Sequence, residues 1–352
     1  MRNKQINTVY LAILLFFAAF IIIPAVVIFT NAFNSSNGSL SFAAFQAVFS
    51  GNSLKTAFFN SCKVSVLSAL ITTVLAFVLA YTENFTNLPG PFKKILRTLA
   101  VFPMLLPTIT YGFAIIYSFG KNGLITKITH HQFFDFYGFK GLVFGYVIYT
   151  LPISFTLIKN TMKYIDRRYL VVCKIMGDSS LKAFWTAILT PLLGTLAVSV
   201  VQSFFLSFTD FGIPASIGGT YDVVASLLYQ TMLGSLPDFH QGAVIALVML
   251  APSIVSILLL NYLQRFNVRY NKITPMKMRK NVFRDAIWTL LSSIILVCML
   301  SIFIVIFVAP FVKDWPNDLN FTWANLNSVL KDKQLIRVFN NSILTSFLTA
   351  LF

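Results

Sequence analysis

Seven apolar stretches of this 352-residue chain are long enough to cross a bilayer, at about 9–31, 62–82, 98–119, 141–159, 186–209, 241–263 and 286–311. A helix needs about 20 apolar residues to span the hydrocarbon core. Lipid offers no partners to backbone N–H and C=O groups, so such runs are helices. An eighth run begins near Asn341 and reaches Phe352 without attaining a spanning length. Pro24, Pro103, Pro107, Pro152, Pro191 and Pro252 lie inside the runs and predict kinks rather than exits. The first run is too long for a signal-peptide core and lacks a small-residue cleavage site, which predicts a retained helix. Composition agrees. Charged residues make up 11% of the chain, against about a quarter in soluble domains, and 37 phenylalanines suit a surface that faces acyl chains. The fold class is an all-α polytopic membrane protein, with membrane lipid as a partner.

The net charge of +16 is explained by where the charges fall. With a cytosolic N-terminus, the inner segments are 1–8, 83–97, 159–185 and 264–285. They hold 18 of the 27 Lys and Arg residues and four of the 11 acids. The inner side is then +14 and the outer side +2, the asymmetry of the positive-inside rule. A basic chain of this pattern needs no nucleic acid to account for its charge. Cys62, Cys173 and Cys298 have no metal-type spacing and read as unpaired thiols. The adjacent His130 and His131, in an outer loop, read as solvated residues rather than a metal site.

The chain carries an internal similarity. Leu40-Ser41-Phe42, then Asn60-Ser61 and Val64 to Leu70, are matched by Leu319-Asn320-Phe321, Asn341-Ser342 and Thr345 to Leu351. Each set follows a long apolar run and a polar outer loop. The pattern predicts a first unit of about six helices over 1–270, a cytosolic linker over 271–285, and the start of a second copy over 286–352. That start comprises one full helix, an outer loop and a partial helix, with most of the second copy absent.

The inner loop between the fourth and fifth runs is the most informative stretch. It runs from Tyr164 to Pro191, with basic residues at Arg167, Arg168, Lys174 and Lys182. Gly177 breaks a helical run, and Asp178 or Ser179 is placed to cap a short second helix. That helix carries Leu181, Phe184 and Trp185 at helical spacing. An apolar stripe on the cytosolic side requires a membrane surface or a partner groove to cover it.

This segment resembles the cytosolic loop of binding-protein-dependent ABC importer permeases, whose pattern is Glu-Ala-Ala, three residues, Gly, and about nine residues to a Leu-Pro entering the next helix. Gly177 matches the glycine, and Leu189-Thr190-Pro191 matches the Leu-Pro with one residue more. Val171, Val172 and Cys173 stand at the Glu-Ala-Ala positions, so the acidic residue is missing. Pro103 to Pro107, Tyr111-Gly112 and Gly120 to Leu124 are similar to the third-helix region of ferric-iron and phosphonate-type permeases. So are Thr209 to Pro214 and Ile217 to Thr220 after the fifth run. That group fuses two six-helix units in one chain.

The resemblance implies a six-helix ABC importer permease unit followed by the start of a second copy, in the bacterial cytoplasmic (inner) membrane. It implies a loop, marked by Val171, Val172, Cys173, Lys174, Gly177, Asp178, Leu181, Phe184, Trp185 and Pro191, that docks on a cytosolic ATPase present in two copies. Phe184 or Trp185 would be the apolar anchor. An extracytoplasmic solute-binding protein would deliver ferric iron or a small phosphonate such as 2-aminoethylphosphonate. The chain has no phosphate-cradling Gly-x-x-x-x-Gly-Lys-Ser/Thr motif. It is therefore expected to bind no cofactor and to be no enzyme, with ATP on the partner subunit.

For the cargo path, Asp210 is an ionisable group beside the fifth run. It is also in place to serve as a helix-end carboxylate bonded to Thr209 or backbone. Gln202, Ser203 and Ser207 are further polar groups on that helix. An ion-coupled secondary transporter is the alternative; it would need paired intramembrane charges, and the runs hold little besides Lys63 and Asp210. A membrane enzyme would need clustered His, Asp or Glu, and the acids are scattered. A structural scaffold would leave the glycine-broken loop without a purpose.

Overall fold

Six of the apolar runs form unbroken helices of spanning length in the computed structural model, which describes residues 2–34, 39–131, 135–266 and 281–351. Helix α1 (Arg2–Phe33) passes through Pro24 without interruption. A short helix α2 (Ala43–Ser50) leads into α3 (Asn52–Phe85), which is longer at both ends than its apolar run.

The third run departs from expectation. It is two helices, not one: α4 (Gly90–Val101), extended by a 3-10 turn to Leu105, and α5 (Thr108–Phe119). They are bent by 106°. Pro103 and Pro107 each remove a backbone donor, and a residue before proline is driven out of the helical region. Leu106 is accordingly extended, at φ −100° and ψ 142°. The Pro103 carbonyl freed by the break accepts from Leu106 N–H at 3.0 Å and from the Tyr111 hydroxyl. Two prolines four residues apart here end a helix where one, as at Pro152 or Pro252, is carried within it.

After α6 (Leu124–Thr129) comes α7 (Phe139–Met162), then the inner loop with α8 (Arg168–Ile175) and α9 (Ser180–Phe184). A π-helical turn over Trp185–Leu189 joins α9 to α10 (Thr190–Thr209). Next are α11 (Gly212–Ile217), α12 (Val224–Leu233) and α13 (Phe239–Leu263). Residues 271–280 of the expected linker lie outside the described residues. The Asn281 side chain then accepts from Arg284 N–H at 3.1 Å and caps α14 (Val282–Val308). A hairpin of β1 (Val312–Asp314) and β2 (Asp318–Phe321) precedes α15 (Ala324–Lys331) and α16 (Lys333–Leu351).

The centre of the bundle is α3, packed most extensively on α7 and α10, with α14 lying along α3 and α5. Small side chains allow this closeness. Ser61, Ser65, Ser68 and Thr72 on α3 are buried, as are Thr195, Ser199, Ser203 and Ser207 on α10. Without a hydrophobic drive between helices in lipid, close backbone approach and hydroxyl pairs hold them together. The pairs join all three helices: Thr72 to Thr150 at 2.9 Å, Thr73 to Ser199 at 3.0 Å, and Ser154 to Ser203 at 2.8 Å. Around this seam Leu79, Tyr111, Leu142, Phe155 and Phe303 fill the apolar core.

Around the stretches paired by sequence similarity the local geometry is shared, but with Ser41 matched by Thr322 and not by Asn320, two residues from the register of the Leu-x-Phe pairing. Both α2 and α15 have eight residues. Ser41 N–H donates to Phe33 O at 2.8 Å, and its hydroxyl accepts from Ala43 N–H at 3.1 Å. Thr322 N–H donates to Phe311 O at 2.9 Å, and its hydroxyl accepts from Ala324 N–H at 3.1 Å. The last helix begins at Lys333, eight residues before the Asn341 of the sequence reading.

Candidate functional site

Between α8 and α9 the chain turns on Gly177, at φ +79°. Gly177 N–H bonds Lys174 O at 3.2 Å and Asp178 N–H bonds Cys173 O at 2.9 Å. This is the Schellman arrangement, which places a left-handed residue just past a helix end, and glycine adopts that conformation without steric cost. Ser179 is the cap of α9, accepting from Lys182 N–H at 3.3 Å. Asp178, the other capping candidate, instead pairs with the Lys182 ammonium at 2.6 Å.

The two short helices are held face to face by small groups. Cys173, buried, packs with Ala183, Ala187 and Leu170. The neighbouring Val171 and Val172 are exposed, as is Lys174. Of the apolar residues on α9 and at the start of the π turn, Leu181 and Trp185 are exposed, at 79% and 57%. Phe184 turns the other way and sits against Phe77 and Tyr81 of α3, with ring centroids 6.0 and 5.8 Å apart. Ile175 and Met176 add to the outward face, 81% and 74% exposed. The surface is thus apolar, with Lys174 and Lys182 at its edge, and Phe184 roots it in the bundle.

Pro191 lies in the first turn of α10, directly after the π turn. A π turn is one residue inserted into a helix. Thr190 N–H and its hydroxyl both return to Trp185 O, the latter at 3.0 Å. The extra residue before Pro191 is therefore absorbed in a local bulge, and the helix continues.

The root of the loop is fixed by charges that sequence reasoning used for orientation without pairing them. Asp166 is buried and takes a fork from Arg168, whose Nε and Nη2 approach its Oδ2 at 2.8 and 2.6 Å. Its Oδ1 also accepts from Arg168 N–H at 2.9 Å. These hydrogen bonds from Arg168 hold the Asp166 carboxyl below the usual carboxylate range. Arg167 donates to Asn84 O at 2.8 Å, at the end of α3. Lys93 of α4 donates to Thr86 O at 2.7 Å. Cations at a helix C-terminus satisfy its free carbonyls and oppose its dipole. Buried Glu83 pairs with Arg97 of α4 through Nε at 2.9 Å. The available signal was Glu83 and Asp166, two of the few acids within the basic inner segments.

The polar residues of α10 do not converge on one point. Ser203 is engaged with Ser154 in the helix seam. Ser207 is buried and its hydroxyl has no hydrogen-bond partner among the described residues. Gln202 is half-buried. Asp210 follows the last residue of α10 and accepts from Ile213 N–H at 2.9 Å, at the start of α11. It thereby lies where α11 meets the broken third span. A Cβ on Gly212 would stand 2.2 Å from Thr108 Oγ1 and 2.6 Å from Ile109 N, so α11 abuts the start of α5 closely. His130 adopts φ 53° at the end of α6.

Comparison with known proteins places this architecture. The chain is 26% identical over 340 residues to a ferric transport system permease protein, FbpB, of Actinobacillus pleuropneumoniae, covering 92% of the chain and 48% of that protein. It is 24% identical over 287 residues to a putative ferric transport system permease protein of Haemophilus influenzae, covering 80% and 44%. The chain thus spans about half the length of these curated relatives. A molybdenum transport system permease protein, ModB, of Haemophilus influenzae is 25% identical over 211 residues, covering 58% of the chain and 91% of that protein. The fold is shared with a crystallised bacterial alginate ABC transporter in complex with a periplasmic protein, at a TM-score of 0.61 and 14% identity, over 78% of this chain and 97% of the other. Residues 72–270, from within α3 to beyond the end of α13, match the family model described as the inner membrane component of binding-protein-dependent transport systems. With its bundle of spanning helices and glycine-broken inner loop, the chain belongs to that family.

Proposed function

We propose that the chain forms the permease part of an ATP-driven ABC importer in the bacterial inner membrane, with its N-terminus in the cytosol. The observation that carries this reading is the α8–α9 pair. It presents Ile175, Met176, Leu181 and Trp185 outward on the side with the excess of positive charge. Such a surface on the cytosolic side fits a groove of a separate ATPase, of which two copies would serve the complete permease. ATP binds and is hydrolysed there. The missing glutamate at Val171 removes one charged contact and leaves the apolar face as the main anchor. On the outer face a solute-binding protein would supply cargo. The ferric transport relatives favour ferric iron, and a phosphonate is the second candidate. Asp210, Gln202, Ser203 and Ser207 are the side chains proposed for the cargo path.

The test is co-purification of the full-length protein with an ATP-hydrolysing subunit in detergent. Leu181→Asp with Trp185→Asp should abolish it while membrane insertion persists. Retention of the ATPase by that double variant would rule out this docking face. ATP-driven uptake of ferric iron into cells, competed by 2-aminoethylphosphonate or not, decides between the two cargo classes.

A further inference from the structure

The cytosolic end of α3 carries two aromatic rings about one turn apart, Phe77 and Tyr81, and each is gripped from two sides. From the inner loop comes Phe184, described above. From α14 comes Trp288, with its ring centroid 6.4 Å from Phe77 and 4.1 Å from Tyr81. Beside the rings, Thr82 Oγ1 lies 2.6 Å from Ser292 Oγ and donates to Trp288 O at 3.1 Å. Tyr81 and Ser292 are buried. Aromatic contacts of this kind are directional, and a close-packed cluster passes on a displacement rather than absorbing it.

The chain itself gives the loop no short path to α14. From Phe184 it runs through the π turn into α10, and α14 begins only after α11, α12, α13 and residues 267–280. The rings supply a shorter path, with Phe184 and Trp288 both packed on Phe77 and Tyr81 of α3. We propose that Trp288 is a positioning residue that carries movement of the α8–α9 loop, through Phe77 and Tyr81, into α14. Nucleotide-driven motion of the loop then acts on α7 and α10 by covalent connection, on α3 by packing, and through α3 on α14. This rests on the importer reading and adds a route that reading does not require.

Cys298 lies in the middle of the spanning part of α14, so the reporter is a thiol placed by Val282→Cys at the exposed first residue of that helix. The full-length protein is purified with its ATPase in lipid nanodiscs, with every other reactive cysteine of the complex replaced by serine. Maleimide labelling of the Val282→Cys thiol is timed without nucleotide and with ATP plus vanadate. The expected result is an ATP-dependent change in labelling rate that Trp288→Ala reduces about fivefold or more, while ATP hydrolysis is retained and Trp288→Phe restores the response. Trp288→Leu keeps apolar bulk without the ring and serves if the alanine variant does not assemble; it should lose the response equally. Phe184→Leu should produce the same loss from the loop side. An interfacial tryptophan that merely anchors the helix would leave the ATP-dependent change intact. That outcome, or a complex with Trp288 intact that hydrolyses ATP with no response at the Val282→Cys thiol, overturns the proposal. Absence of any co-purified ATPase instead removes the importer reading beneath it.

Discussion

Gly177 and Gly212 need to be glycine for different reasons. Nothing lies within 4 Å of where a Cβ would stand on Gly177, so a side chain there costs backbone conformation alone. Gly177→Val is expected to weaken the turn by about 1–2 kcal/mol and to sharply lower ATPase co-purification. Gly177→Asn, which tolerates the left-handed region, should retain most of it. At Gly212 the conflict is steric. Gly212→Ala would force α11 away from Thr108 and is expected to cost about 1–3 kcal/mol, seen as a lower Tm in detergent with loop docking unaffected. Asp166 adds a dependence on pH. Its carboxyl is held below the ordinary range in the folded loop, so its contribution is present above the unfolded value and is lost as pH falls through the folded one. Asp166→Asn should remove that dependence and, by leaving Arg168 with neutral instead of charge-assisted hydrogen bonds, loosen the start of α8 by about 1 kcal/mol. Hydrogen exchange of the Arg168 to Leu170 amides at neutral and acid pH measures it. An exchange rate unchanged by the substitution would show that the carboxylate does not hold the loop.

At the scale of single elements, the π turn sets the angle at which α9 leaves α10. Deleting Thr186 would convert the bulge to regular helix and rotate α9 by about 100° about the axis. Leu181 and Trp185 would then face elsewhere, and the expected outcome is loss of ATPase binding with normal insertion, assayed by pull-down and by membrane fractionation. Most elements were legible in the sequence because an apolar run of spanning length has few alternatives in lipid. The glycine turn was legible too, since Gly177 with Ser179 is a stop followed by a start. The break at Leu106 was not. One proline in a run and two spaced by four look alike in a hydropathy profile, and the outcome depends on which carbonyls find new donors. Here the Tyr111 hydroxyl supplies one. The inward turn of Phe184 was equally hidden, because helical spacing shows which residues share a face and not which neighbour covers it. The anchoring of Arg167 and Lys93 was hidden because their partners are main-chain carbonyls, which carry no signature in a list of side chains.

The molecule as a whole is asymmetric in charge from side to side, and this predicts its orientation. Cys173 is a poor reporter, since it is packed between α8 and α9. Lys174→Cys, on the exposed face, should react with a membrane-impermeant maleimide from the cytosolic side alone, and Lys121→Cys from the outer side alone. The reverse pattern would invert the topology and detach the loop from any nucleotide-driven partner. The helices on which such a partner would pull are joined by hydroxyls, and the spacing of those groups has a consequence. On α10 they recur every fourth residue, at Thr195, Ser199, Ser203 and Ser207, a step of about 6 Å along the axis. Were α10 to slide by that step past α3 and α7, each hydroxyl would arrive near the position its neighbour had left. The partners differ along the row, Thr73 of α3 for Ser199 and Ser154 of α7 for Ser203, so a slide by one step would exchange each hydroxyl's partner for that of its neighbour.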